Sequence, residues 1–78
     1  MGRAPGVSFD IATVELMRAV VEEASVKLPK HLQTSRVKIE LAGLILKFAA
    51  GGERDPNRLE TFALVHVMER HRASYALG

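Results

Sequence analysis

Seventy-eight residues without a single cysteine exclude disulfide staples, thiolate metal sites and thiol nucleophiles. Hydrophobic residues make up 47% of the chain and aromatics only 5%, so any core is aliphatic and close to the lower size limit for unaided folding. The formal charge of +2 accounts for a pI near 9.4 without a strongly basic surface, which disfavours nucleic acid as a partner.

The first seven residues, Met1-Gly2-Arg3-Ala4-Pro5-Gly6-Val7, lack the apolar stretch of a signal peptide. Gly6 stands where a myristoylation pattern requires Ser or Thr. The expectation is a flexible arm over residues 1–7 on a cytoplasmic protein. Helical periodicity begins at about Ser8 and runs to Leu28. Ser8 is placed to cap the helix and Asp10 to sit in its first turn, where negative charge suits the helix dipole. Val14, Met17, Val21, Ala24 and Leu28 recur at spacings of three and four, widened by Leu16 and Val20. Arg18 and Glu22, and likewise Glu23 and Lys27, are spaced for ion pairs along the helix.

Pro29 ends this segment, and Thr34 or Ser35 can cap the next, expected over about residues 34–51. Its sequence is apolar around most of the helix, leaving a narrow stripe of Arg36, Glu40, Gly43 and Lys47. Such a helix belongs in the centre of an assembly, covered from more than one side. Gly51 and Gly52 then stop it, Asp55 caps a third helix and Pro56 occupies that helix's first position. A connector this short makes the second and third helices a hairpin.

The third helix is expected over about residues 56–75. Leu59, Phe62, Ala63, His66 and Val67 share one face, and the stripe Leu64, Met68, His71 and Tyr75 forms a second. The chain is therefore an all-α, small three-helix bundle over residues 8–78. An apolar excess too large for one small interior makes a homodimer the expected state, with Leu64, Met68, His71 and Tyr75 as the candidate interface.

Catalytic and ligand chemistry find little support. His66 and His71 are five residues apart and diverge by about 140° on a helix of 3.6 residues per turn, so they do not chelate a metal together. His66 reads as a partly buried histidine bonded within the bundle. Glu40 reads as the exposed partner of Arg36, four residues before it. Neither the G-x-x-x-x-G-K-[ST] loop nor G-x-G-x-x-G is present. No catalytic residue, cofactor or metal is expected, and the alternative to an interaction module is a small DNA-binding regulator using Arg70 and Arg72. An unidentified protein partner remains open.

The segment Leu44-Ile45-Leu46-Lys47-Phe48-Ala49-Ala50-Gly51-Gly52-Glu53-Arg54-Asp55-Pro56-Asn57-Arg58-Leu59, followed by Ala63-Leu64, resembles a group of short, uncharacterised alphaproteobacterial proteins. Their pattern is an apolar helix ending in Ile-Leu, then Ala, then Gly-Glu-Arg-Asp, then Leu and a later Ala-Leu. The resemblance covers the C-terminal half. It implies a small cytoplasmic helical protein and carries over no functional residue.

Overall fold

The computed structural model describes the backbone of residues 9–77 and the side chains of residues 9–72. Three helices, α1 (Ile11–Lys27), α2 (Ser35–Ala50) and α3 (Pro56–Leu77), each pack against the other two, with a 3-10 turn at Lys30–Leu32 between the first pair. The expected three-helix bundle is the observed fold, and its boundaries follow local chemistry.

Asp10 is the N-cap of α1 rather than a member of its first turn. Its extended backbone (φ −77°, ψ 172°) lets Oδ1 accept from the Thr13 amide at 2.9 Å. Ser8, the expected cap, lies outside the described residues. At the other end Leu28 is forced into an extended conformation by Pro29, which excludes helical geometry from the residue before it. The Gln33 amide then donates to the orphaned carbonyls of Leu28 at 2.7 Å and Val26 at 3.3 Å. Thr34 caps α2, its hydroxyl accepting from the Val37 amide at 3.2 Å.

The expectation that two glycines stop α2 narrows to one. Gly51 stays right-handed at φ −80°, and only Gly52, at φ 109°, is left-handed. The Glu53 amide reaches back to the Phe48 carbonyl at 3.2 Å and the Gly52 amide to Ala49 at 3.0 Å, which is the double bond pattern of a Schellman end. Arg54 adds a bond from its guanidinium to the Ala49 carbonyl, and the same group lies 5.6 Å above the Phe9 ring. Glu53 Oε2 accepts from the Asp55 amide at 3.1 Å, and Asp55 Oδ1 from the Asn57 amide at 2.9 Å, so side chains cap the start of α3 at Pro56.

Each helix buries one ridge. Met17, Val20 and Ala24 come from α1, Val37, Leu41, Ile45 and Ala49 from α2, and Leu59, Ala63 and Val67 from α3, with Leu28 and Leu32 closing the end near the first connection. The ridges are narrower than the periodic faces in the sequence. Val14 is 40% exposed and Phe62 38%, because helices this short meet along one line of side chains. Ion pairs tie the helix edges together. Lys27 Nζ stands 3.0 Å from Glu60 Oε2, while Oε1 takes the hydrogen bond at 3.2 Å, so α1 is joined to α3. Lys38 meets Glu22 at 2.8 Å, joining α1 to α2. Glu22 thus engages across the helices instead of pairing with Arg18, whereas Glu23–Lys27 forms as expected at 3.6 Å.

Gly52→Ala should lower stability by about 1 kcal/mol, because alanine is strained in the left-handed region, and Gly51→Ala should cost far less; chemical denaturation of the two variants checks the difference. The bonds from Thr13 hold the Asp10 carboxyl below its ordinary 3.8, so this cap stabilises above pH 3.8 and is lost as the pH falls through the lowered value. Asp10→Asn, which keeps the cap but does not titrate, should flatten that acid limb of the melting curve. The Glu60 hydrogen bond raises the Lys27 ammonium above 10.5, so this tie is intact below pH 10.5 and lost as the pH rises through the raised value. Glu60→Gln should flatten the alkaline limb of the stability curve.

Candidate interaction surfaces

The α3 stripe singled out by its spacing lines a shallow groove of about 490 Å³ against the 3-10 turn. Its floor is Leu32, Leu64, Val65 and Met68, and its rim includes Glu69 and His71. Val65 is 50% exposed and Met68 43%. Leu64 does not point wholly away from the core as expected. It is half-buried and packs against the central cluster, because the 3-10 turn brings Leu32 up beside α3. The side chain of Tyr75 lies outside the described residues, so the fourth member of the stripe has no structural placement.

His71 is engaged within the bundle. Its Nε2 stands 3.0 Å from Glu40 Oε1 on α2, with side-chain exposures of 29% and 23%. This replaces the expected Arg36–Glu40 pair. Glu40 follows the exposed Ile39 and precedes the wholly buried Leu41, which turns it toward α3 and away from solvent, where a partner from another helix is less screened than an exposed neighbour four residues back. Arg36 is left exposed.

His66 also departs from expectation. It is exposed, not partly buried. Its ring folds back along α3 so that Nδ1 lies 2.9 Å from the Phe62 carbonyl; a carbonyl only accepts, so Nδ1 carries the proton. The ring meets Phe48 edge-on at 5.3 Å, and Phe48 meets Phe62 at 5.4 Å, giving an aromatic seam along the outside of the α2–α3 hairpin. Aromatic spacing on two different helices hid this seam from the sequence.

The basic end of α3 is only partly free. Arg70 is exposed, but Arg72 Nη1 reaches Glu69 Oε2 at 3.4 Å. Elsewhere Lys27, Lys38 and Arg58 are also matched by carboxylates. Among the described residues no group of three or more His, Asp and Glu side chains is arranged to hold a metal ion, and no helix is long and apolar enough to cross a membrane.

A second surface was not anticipated in its position. Helix α2 is covered by α1 and α3 but not on a third side, where Ile39 is 70% exposed and Leu46 49%. With Ala42, Gly43 and the α1 residues Val14 and Val21 they line an open apolar groove. The spacing of Ile39, Ala42, Gly43 and Leu46 at i, i+3, i+4 and i+7 was visible in the sequence; which side of an all-round apolar helix stays bare was not.

No protein-family model matches the chain, and neither a curated protein nor a solved structure matches it. The resemblance drawn on the Leu44–Leu59 segment therefore stands on those residues alone.

The cross-helix bond should be detectable. A double-mutant cycle on Glu40→Gln and His71→Gln should give a coupling of about 0.5–1 kcal/mol, and Arg36→Gln should leave the melting temperature almost unchanged. A coupling of zero, or a large loss from Arg36→Gln, would return Glu40 to its neighbour on the same helix.

Proposed function

We propose that the chain is a small, non-enzymatic protein-interaction module of the cytoplasm that self-associates through α2 and α3. The observation that carries this reading is the half-exposed apolar floor of Val65 and Met68 beside Leu32 and Leu64. Contiguous apolar surface of this kind marks contact sites more often than it marks ordinary solvent-facing helix. His71, anchored on Glu40 at the groove's edge, holds a polar rim in a fixed place. A rim of charged and hydrogen-bonding groups around an apolar centre is the common plan of a protein contact.

The carboxylates support the non-enzymatic part. Glu22, Glu23, Glu40, Glu53 and Glu60 each meet a basic side chain, and Asp10 and Asp55 cap helices. Groups held in structural bonds of this kind are poor candidates for proton transfer to a substrate.

Light scattering at micromolar concentration should give twice the chain mass of 8.6 kDa. Met68→Glu should return the particle toward that single-chain mass with its helix content intact. A particle that keeps its doubled mass removes the α3 stripe from the contact, and a wild-type particle of single-chain mass defeats self-association altogether.

A further inference from the structure

The acidic groups of this chain are nearly all engaged within it, and its basic groups are not. All nine acidic residues lie among the described ones. Asp10 and Asp55 cap helices, and six glutamates each meet a basic side chain. Only Glu15 has no such bond among the described residues. On the bare side of the α1–α2 pair, by contrast, Arg18, Arg36 and Lys47 are exposed and have no carboxylate partner among the described residues.

The polar stripe of α2 shows how this imbalance arises. Arg36, Glu40, Gly43 and Lys47 follow one another at helical spacing, two cations against one carboxylate. Glu40 turns to His71 on α3, and Gly43 contributes no side chain. What remains is a cationic edge, with Arg36 and Lys47 roughly 16 Å apart along the helix. Beside that edge stand Ile39, 70% exposed, and Leu46, 49% exposed, with the exposed Ala42 and Gly43 between them. A Cβ built on Gly43 meets no atom within 4 Å, so the space above it is open. Val14, Arg18 and Val21 line the α1 wall of the same groove. Glu22 shares that wall, but Lys38 holds it at 2.8 Å and the pair adds no net charge.

We propose that this groove docks a helix of another protein, one whose apolar ridge is flanked by carboxylates. The charges select the occupant. A second copy of this chain has no helix face of that kind, because eight of its nine acidic groups are already held in caps and ion pairs. The α2 floor dips at Ala42 and Gly43 between Ile39 and Leu46, a shape that receives a rounded helix with anchors at i, i+3, i+4 and i+7. A flat bilayer would reach only the raised ends. Arg36 and Lys47 favour carboxylates about three helical turns apart on the docked helix, and the Arg18 stem lets its guanidinium swing over the opposite flank. Such an edge speeds encounter with acidic helices and rejects basic ones. The α3 groove stays free for self-association.

The probe is a synthetic amphipathic peptide of about five helical turns, with leucine at i, i+3, i+4 and i+7 and glutamate on both flanks. Its counterpart carries lysine in place of glutamate. The glutamate peptide should bind at least tenfold more tightly at low salt, with the preference shrinking as salt rises. It should shift the amide resonances of Ile39, Gly43 and Leu46, not those of Val65 and Met68. Arg36→Glu combined with Lys47→Glu, at two exposed positions without a bond in the fold, should reverse the preference. Gly43→Leu should keep its helix content and particle mass while binding the glutamate peptide at least tenfold more weakly. Equal binding of the two peptides, shifts confined to the α3 groove, or an unaffected Gly43→Leu variant overturns the proposal. Binding to phosphatidylglycerol vesicles without binding to the glutamate peptide overturns it in favour of a lipid surface, and a peptide that halves the particle mass overturns it in favour of a second copy. A wild-type particle of single-chain mass with the peptide preference intact leaves it standing while self-association fails.

Discussion

Val37, Leu41, Ile45 and Ala49 stand at successive intervals of four along α2, and α1 and α3 converge on that one ridge. Leu41 and Ile45 are wholly buried, and the same core includes small residues from both neighbours, Ala24 of α1 and Ala63 of α3, also at zero exposure. Small against large is what lets three short helices approach closely enough to exclude water from a single line of side chains. Everything else in the chain is placed by that line. The caps hold the helices at lengths that meet it, and the two connectors turn the chain back over it.

A core this thin cannot by itself settle how the helices slide past one another. The cross-helix bonds at its edges supply that information. Glu22–Lys38 sits near the α1–α2 connection, Lys27–Glu60 bridges the start of α3 to the end of α1, and Glu40–His71 spans α2 and α3 further along. Each is exposed enough that its energy is modest, since solvent screens a surface pair. Their value is in register: each helix takes part in two of the three pairs, so a shift of any one helix would strain two pairs at once and carry the buried ridges out of alignment. Arg54 acts similarly at the hairpin, where one guanidinium closes the end of α2 and covers the Phe9 ring that precedes α1.

Much of this was legible in the residues because it is local chemistry. Pro29, Thr34, Asp55 and Pro56 act within a turn of their own positions, and their roles do not depend on what packs nearby. The α3 stripe was legible through its spacing, and Leu64, Met68 and His71 do come together at one groove. What the residues did not reveal are choices between near-equivalent partners. Glu40 had Arg36 within reach on its own helix and took His71 from another; Glu22 had Arg18 and took Lys38. Gly51 and Gly52 are identical in sequence, and only the path of the chain decides which one turns left-handed. The bare side of α2 is the same kind of choice, since periodicity shows that a helix is apolar all round but not where its neighbours stop.

That bare side exposes a mismatch between helix and bundle. A helix apolar around most of its circumference is stable where neighbours surround it, yet two neighbours subtend only part of that circumference. The remainder falls on Ile39, Ala42, Gly43 and Leu46, and the neighbouring α1 lines it with Val14, Met17 and Val21 together with the charged Arg18 and Glu22. Sequences that are meant to face water on that side place lysine or glutamate there, as α1 itself does at Glu15 and Glu23. The charges of α2 are instead set to either side: Lys38 and Glu40 are drawn into bonds with α1 and α3, while Arg36 and Lys47 stand beyond the apolar stripe. The same economy of size that leaves three helices with one shared ridge leaves part of the apolar circumference of α2 uncovered.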